Sequence, residues 1–145
     1  MDPSSVRGLK PVRTKMSKNR NLVLVVDDDL GMLKCIERLL RLYAYEPILF
    51  TSAQTINSQS DVQNADCVIL DINLNDGSGI ELRHGLKAAA VTVPVIYITG
   101  NDSPAVRKVA LESGCASFLT KPFPTHELME SLKAAIGAIV VDGPV

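Results

Sequence analysis

Short apolar runs rich in Val and Ile recur along the chain and alternate with stretches whose apolar residues repeat with a helical period. Several of these runs are apolar almost throughout, which is typical of strands that are covered on both faces. Because strands and helices alternate in this order, the pattern predicts a parallel sheet with helices packed on both of its sides. The predicted strands are residues 22–26, 46–50, 66–70, 93–99 and 117–120.

Three of the segments that follow the strands predict well-defined helices, two of them with a buried apolar stripe. The stripe of the first helix consists of Met32, Cys35, Ile36, Leu39, Leu40 and Tyr43. The stripe of the last helix, which we expect to begin near Pro124, consists of Leu128, Leu132, Ala135, Ile136 and Ile139. The remaining helix is predicted to have Ser103 as its N-cap, Pro104 in its first turn and Gly114 at its end.

Two further helices are less clearly encoded. We expect a short or frayed helix over residues 51–64, where polar residues predominate, and a helix after Gly79 that contains Gly85. A glycine inside a helix costs about 1 kcal/mol relative to alanine. The apolar residues available to anchor these helices are Ala53, Ile56 and Val62 in the first, and Ile80, Leu82 and Leu86 in the second.

Charge is distributed unevenly along the 145 residues. Residues 1–20 contain six of the 15 Lys and Arg residues but only one of the 16 Asp and Glu residues. The remaining residues therefore contain nine basic and fifteen acidic side chains. We therefore expect a flexible basic segment over residues 1–20, one folded acidic domain over residues 21–140 and a short tail over residues 141–145. The acidic domain offers no general attraction to nucleic acid or to a membrane surface, and no apolar run approaches the roughly 18 residues of a membrane span.

The three cysteines, Cys35, Cys67 and Cys115, are odd in number and widely spaced. This spacing fits neither a disulfide framework nor a paired metal site, so we expect all three to be buried as small apolar residues. Cysteine usage of this kind is typical of a reducing compartment, and residues 1–20 lack the apolar stretch of a secretory signal. We therefore expect a cytoplasmic protein.

Polar side chains follow the predicted strands at the points where those strands end. They are Asp27, Asp28 and Asp29 after the first, Asp71 after the third, Thr99 and Gly100 at the fourth, and Lys121 and Pro122 after the fifth. In an open parallel sheet, ligands bind beyond the carboxyl ends of the strands. Carboxylates gathered there would repel one another without a cation, and Mg²⁺ is the divalent ion that best suits a few carboxylates and water.

Each of these residues also has an ordinary structural interpretation. An aspartate after a strand commonly caps a helix, as Asp28 could do and as we expect of Asp29, or begins a turn, as Asp71 could do ahead of its Asn- and Gly-rich loop. Thr99 could be a β-branched strand residue, and Lys121 a solvated surface charge. The occurrence of carboxylates, a hydroxyl and an amine at one sheet edge favours a functional site over these separate interpretations.

Four strings in the sequence carry a family resemblance: VLVVDDD over residues 23–29, VILDINLNDGSG over 68–79, PVIYITG over 94–100 and FLTKPF over 118–123. In this order and at these intervals they resemble the receiver domain of two-component response regulators. The resemblance covers residues 21–137. It implies a flavodoxin-like (βα)5 fold, a doubly wound α/β sheet of five parallel strands in the order 2-1-3-4-5.

The resemblance also implies the chemistry of the strand ends. Asp71 matches the phosphoacceptor that takes a phosphoryl group from a histidine kinase or a histidine phosphotransfer protein. Asp28 and Asp71 match direct ligands of Mg²⁺, Asp27 matches an acid that acts mainly through water, and the main-chain carbonyl of Asn73 completes the set. No enzymatic turnover is implied beyond Mg²⁺-dependent self-phosphorylation and dephosphorylation.

The signalling residues are implied in the same way. Thr99 matches the switch hydroxyl, Lys121 the lysine that pairs with the phosphate, and Phe118 the aromatic residue coupled to that switch. Lys121-Pro122 is expected to be a cis peptide bond, as in the family. The output surface would comprise the last two helices and the last strand, and would contact a protein partner, either as a monomer or as a phosphorylation-dependent dimer. Because only eight residues follow Gly137, we expect no DNA-binding domain and no direct contact with nucleic acid.

Other features limit or qualify this interpretation. A receiver that binds its partner independently of phosphate is the alternative function. A hydrolase of the aspartyl-phosphate type would require a second acid at position 73, where this chain has Asn73. A dinucleotide-binding site would require a Gly-rich loop after the first strand, where this chain has DDDLG. Arg83 occupies a position that is usually apolar in the family and could alter helix packing. His84 and His126 are expected on the surface.

Overall fold

A computed structural model describes residues 21–57, 60–74, 77–89 and 91–142 of the chain. The predicted basic segment, residues 1–20, lies outside these ranges, and of the predicted tail only residues 141 and 142 are described, both as helix. Side chains are described over the same ranges except at positions 57, 60, 61, 77 and 138–142.

The described strands are β1 (Asn21–Val26), β2 (Tyr45–Phe50), β3 (Cys67–Asp71), β4 (Asn73–Leu74), β5 (Gly77–Ser78), β6 (Val95–Thr99) and β7 (Ser117–Thr120). The short strands β4 and β5 pair antiparallel directly after β3. The other five form one parallel sheet in the order β2-β1-β3-β6-β7. Numbered among themselves, these five follow the predicted order 2-1-3-4-5, so the predicted doubly wound α/β fold is confirmed.

The described α-helices are α1 (Leu30–Leu42), α2 (Ala53–Asn57), α3 (Gly79–Ala88), α4 (Pro104–Glu112) and α5 (Thr125–Asp142), and a 3₁₀ helix spans Ser60–Asn64. The expected short helix in the second connection is confirmed by α2 and the 3₁₀ turn. Ser103 caps α4, since its hydroxyl accepts from Val106 N at 3.1 Å, and Gly114 follows the helix with φ +86°. None of the helices within the described ranges has both the length and the apolar character needed to cross a bilayer.

Apolar side chains fill both faces of the sheet, because successive strand residues point to opposite sides. In β1, Leu24 and Val26 face the cluster beneath α2, α3 and α4, whereas Val23 and Val25 face the cluster beneath α1 and α5. Helix residues buried against the two faces are Ile56, Leu82, Leu86 and Ala110 on the first, and Leu33, Ile36, Leu40, Leu128, Met129 and Leu132 on the second. The sheet therefore forms a rigid layer that fixes the positions of its strand ends.

The predicted stripe of α1 was wrong at two positions. Cys35 is exposed and Tyr43 is 50% exposed, whereas Leu33, which the predicted stripe omitted, is 2% exposed. The buried face of α1 is centred on Leu33, Ile36 and Leu40, which follows the 3.6-residue period, and Cys35 falls to its polar side. The apolar pattern alone fits both faces because Met32 and Leu39 belong to either.

The expectation that all cysteines are buried therefore holds only in part. Cys67 in β3 is fully buried, and its burial raises the pKa of the thiol to about 12. Cys115 is partly buried.

Strand ends shift by one or two residues from the predicted bounds. The shift is clearest at β6, which begins at Val95 rather than at residue 93. The residue before it, Pro94, has no N–H to donate to a strand ladder.

Candidate functional site

The carboxyl ends of four neighbouring strands meet at one edge of the sheet. Ladder partners at these ends are Val26 with Leu70, Asp71 with Ile98, and Thr99 with Thr120. The residues that end or follow these strands are therefore brought to the same level. Asp27, Asp28 and Asp71 each offer a carboxylate oxygen, and these oxygens all lie within 4.8 Å of one another.

Lys121 joins two of these carboxylates. Its Nζ donates to Asp27 Oδ2 at 2.9 Å and to Asp71 Oδ2 at 3.2 Å. Asp27 is fully buried and Asp71 is 5% exposed, so this ammonium compensates charges that have little contact with water. The peptide bond between Lys121 and Pro122 is cis, as the resemblance implies, and Lys121 N donates to Thr99 O at 2.7 Å.

The acidic residues after β1 are held by main-chain contacts. Asp27 N donates to Phe50 O at 3.1 Å, and Asp27 Oδ1 accepts from Asp29 N at 2.9 Å. Asp29 caps α1, because its carboxylate accepts from Gly31 N at 2.9 Å and from Met32 N at 3.3 Å. The predicted role of Asp29 as the cap is confirmed, and Asp28 belongs to the carboxylate cluster instead.

Asp71 is the last residue of β3 and lies at the centre of the cluster. Its Oδ1 accepts from Asn73 N at 3.0 Å, a contact typical of the turn that Asp71 was also expected to begin. Its Oδ2 accepts from Lys121 Nζ. One oxygen of the Asp71 carboxylate therefore stabilises the turn, and the other belongs to the carboxylate cluster. Asp71 lies inside the strand, one residue beyond the predicted end, and its main chain is fixed by the sheet.

Gly79, the first residue of α3, lies against the main chain of Asp71, and no sequence pattern indicated this contact. A Cβ at this position would overlap the main-chain oxygen of Asp71 and lie 3.1 Å from Ile72 Cα. Gly79 N also donates to Ile72 O at 2.8 Å. The only sequence signal was its place in the string that follows Asp71, and the close approach is a property of the fold.

We expect Gly79→Ala to lower the free energy of unfolding by about 2 kcal/mol, because the added methyl group meets main-chain atoms that can yield only by distorting the sheet. Gly85→Ala is the matched control: it lies in the same helix, and an added Cβ meets nothing within 4 Å. This control should be more stable than the parent by about 0.5 to 1 kcal/mol. Urea unfolding of the three proteins measures both changes, and equal effects at the two glycines would contradict the contact with Asp71.

Thr99 is fully buried at the end of β6. Its hydroxyl accepts from Asn101 N at 2.9 Å and lies 3.4 Å from Asn73 Nδ2. Phe118 in β7 is partly buried against the core and lies under the guanidinium of Arg107, 4.5 Å from the ring centroid. His84 and His126 are exposed, as predicted.

The electrostatics of the cluster favour a bound cation. Burial, together with the charge of Asp27, raises the pKa of Asp71 to about 6, although the Asn73 amide and Lys121 both act to lower it. Burial also acts to lower the pKa of Lys121, but its hydrogen bonds and charge interactions with Asp27 and Asp71 raise it. Lys121 contacts two of the three carboxylates in the cluster, Asp27 and Asp71. Oxygen ligands with surplus negative charge are what a hard divalent cation requires, so the residues present fit such an ion.

Comparison with known proteins identifies the same region. A family model described as the response regulator receiver domain matches residues 23–133. The response regulator protein TodT of Pseudomonas putida is 28% identical over 121 residues, which are 83% of this chain and 53% of TodT. The regulatory protein VirG of Agrobacterium fabrum is 33% identical over 115 residues, which are 79% of this chain and 45% of VirG. The chain thus spans about half the length of these curated relatives.

A solved structure agrees with the fold. The CheY-like response regulator receiver domain protein from Methanospirillum hungatei superimposes with a TM-score of 0.78 at 24% identity, covering 86% of this chain and all of that one. The segment that the family model matches, residues 23–133, contains every strand of the parallel sheet apart from the first residues of β1. It also includes the carboxylate cluster and Lys121. This chain therefore belongs to the response regulator receiver domain family of two-component signalling proteins.

Proposed function

We propose that the chain is a phosphoacceptor that takes a phosphoryl group onto Asp71 from a histidine kinase or a histidine phosphotransfer protein. The observation that carries this proposal is the contact of Lys121 Nζ with both Asp27 and Asp71 inside a cluster of three carboxylates. A buried carboxylate with a raised pKa, beside a lysine and a cation site, is the arrangement expected of a nucleophile that receives an anionic group.

In the proposed reaction an oxygen of Asp71 attacks phosphorus, the bond from phosphorus to the donor nitrogen breaks, and the imidazole leaves with the electron pair of that bond. The product is an acyl phosphate. Asn73 N holds one carboxylate oxygen of Asp71 at 3.0 Å, which orients the group for attack. The ammonium of Lys121, already within 3.2 Å of Asp71, would stabilise charge on the phosphoryl oxygens.

The cation site is proposed to hold Mg²⁺. Asp28 and Asp71 would be direct ligands, Asp27 would act mainly through water, and the main-chain carbonyl of Asn73 would complete the protein ligands. When bound, the ion would reduce the repulsion between an anionic donor and this acidic site and would stabilise the transferring group.

The signal is proposed to leave through α4, β7 and α5 by way of Thr99 and Phe118. Movement of the Thr99 hydroxyl toward the phosphoryl group would require it to leave Asn101 N, its partner at 2.9 Å. The space vacated would allow Phe118 to rotate and change the surface offered to a downstream protein. Amide chemical shifts of residues 100–125 are expected to change when a phosphate mimic is added, and unchanged shifts would contradict this route.

Labelling with a small phosphodonor tests the proposed function. In the presence of Mg²⁺ and acetyl phosphate, we expect intact-protein mass spectrometry to find one added phosphate that is stable in acid and labile in base, and none when EDTA is present. Absence of an adduct, from acetyl phosphate and from histidine kinases alike, would favour the alternative of a binding module independent of phosphate. Rapid multiple turnover of a phosphate ester would instead favour a hydrolase.

A further inference from the structure

The amino-terminal end of α4 is held by four side chains from three elements, which we name the clasp: Asp102, Arg107, Phe118 and Thr120. Arg107 donates to both carboxylate oxygens of Asp102, at 3.2 and 2.9 Å. Thr120 Oγ1 donates to Asp102 Oδ2 at 2.9 Å, and the Arg107 guanidinium covers the Phe118 ring at 4.5 Å. The clasp thus connects the loop after β6, helix α4 and strand β7.

The carboxyl-terminal end of α4 is held differently, by contacts that we name the anchor: the buried side chains of Arg83, Tyr97 and Ser113, and the carbonyl of the exposed Gly114. The hydroxyl of Tyr97, which is fully buried, lies 2.8 Å from Ser113 Oγ. Arg83 is 8% exposed and donates to Gly114 O at 3.2 Å, and also to the main chain ahead of β6. Arg83 thus ties α3 to the end of α4.

The two ends of α4 differ in how easily they separate. The Arg107 and Asp102 side chains of the clasp are 45% and 32% exposed, and exposed ion pairs contribute little and are screened by salt. In the anchor, the buried Tyr97 hydroxyl and the buried Arg83 guanidinium would lose hydrogen-bond partners if their contacts with the end of α4 broke, which costs much more. Movement of α4 is therefore expected to begin at the clasp and to turn about the anchor.

The clasp is adjacent to the proposed switch on both strands. Thr99 and Thr120 are ladder partners at the ends of β6 and β7. Asp102 follows directly after Asn101, whose main chain holds the Thr99 hydroxyl, and Thr120 directly precedes Lys121. Only Gly100 and Asn101 separate Thr99 from Asp102, so a change at Thr99 would act directly on the clasp.

We propose that the clasp holds α4 against β7 while Asp71 is unmodified and must open for the phosphorylated conformation to form, with the anchor as its pivot. This inference rests on the proposed function and adds the contacts that regulate it. The protein without phosphate would populate the closed arrangement, and loss of one clasp contact would reduce the free energy needed to leave it.

Binding of beryllium fluoride with Mg²⁺, as a mimic of the phosphoryl group, tests the clasp. Because the chain has no Trp, calorimetry or NMR is the appropriate measurement. Thr120→Val removes the hydroxyl at nearly constant volume, and Arg107→Gln removes the charge; both should bind the mimic about two- to fivefold more tightly than the parent. Thr120→Ser keeps the hydroxyl and should resemble the parent. Lys108→Gln, which breaks an exposed pair with Glu112 on the same helix, should also leave the affinity unchanged.

Hydrogen exchange separates opening of the clasp from general loosening. In Thr120→Val and Arg107→Gln, amides of the first turn of α4 should exchange faster, while those at Ser113 and Gly114 should keep their protection. Unchanged or weaker binding in both variants, with a parent that binds, would overturn the clasp alone, as would equal loss of protection at both ends of α4. A parent that does not bind the mimic would overturn the proposed function, and the clasp with it.

Discussion

Asp71→Asn is expected to abolish phosphoryl incorporation completely and, in metal-free buffer above pH 6, to make the protein more stable than its parent. The first effect follows because an amide cannot serve as the acceptor in this reaction. The second follows because Asp71 is ionised at a cost in the folded protein: burial and the charge of Asp27 raise its pKa to about 6. The gain should be on the order of 1 to 3 kcal/mol.

The pH dependence has a definite sign. A carboxyl whose pKa is raised on folding binds its proton more tightly in the folded state, so its favourable contribution is complete below about pH 4, the pKa of an unfolded aspartate. That contribution is lost as the pH rises through about 6, the pKa of Asp71 in the folded protein. The stability difference between Asp71→Asn and the parent should therefore be least below pH 4 and reach its full size above pH 6.

Chemical unfolding from pH 4 to pH 8 in EDTA, together with acetyl phosphate labelling in Mg²⁺, checks both parts. Glu81→Gln is the control, because Glu81 is an exposed acid on α3 and its loss should alter neither labelling nor the pH profile. A labelled Asp71→Asn protein would place the acceptor elsewhere. A variant less stable than its parent at pH 8 would show that the Lys121 contact outweighs the burial of Asp71.

Lys121→Met is expected to have the second large effect. Removal of the ammonium leaves the fully buried Asp27 and the nearly buried Asp71 without their shared donor, so the free energy of unfolding in metal-free buffer at pH 7.5 should fall by about 3 kcal/mol. The hydrogen bonds and charge interactions with Asp27 and Asp71 raise the pKa of Lys121. Its contribution to the free energy of unfolding is therefore complete at this pH and is lost only in strong alkali. Labelling by acetyl phosphate should slow about 100-fold, because charge on the transferring group is no longer compensated.

Mg²⁺ should restore much of the lost stability in Lys121→Met, since a cation bound by the same carboxylates would replace the missing charge. Lys108→Met is the matched control, because Lys108 pairs with Glu112 at 3.6 Å on an exposed surface. Its loss should change stability by less than about 1 kcal/mol and leave labelling unchanged. Equal stability losses in the two variants, or a Lys121→Met protein labelled at the parent rate, would contradict the role proposed for Lys121.

The residues of the site were predictable because each directly ends or follows a strand. A parallel sheet aligns the carboxyl ends of its strands, so Asp27, Asp71 and Lys121 could be placed at one edge from their positions alone. The clasp was not predictable in this way. Asp102, Arg107 and Thr120 come from a loop, a helix and a strand, and only the packing of α4 on β7 brings them together.

The sequence by itself determined the alternation of strands and helices, the strand order implied by the family resemblance, and the acidic edge, because these follow from local periodicity and from the geometry of parallel sheets. The apolar pattern placed Cys35 rather than Leu33 on the buried face of α1, which was wrong. The tertiary structure alone decided that Gly79 lies against the main chain of Asp71 and that Arg83 ties α3 to α4. Such contacts join residues distant in sequence or depend on a few tenths of an ångström of backbone position, and local patterns carry no information about either.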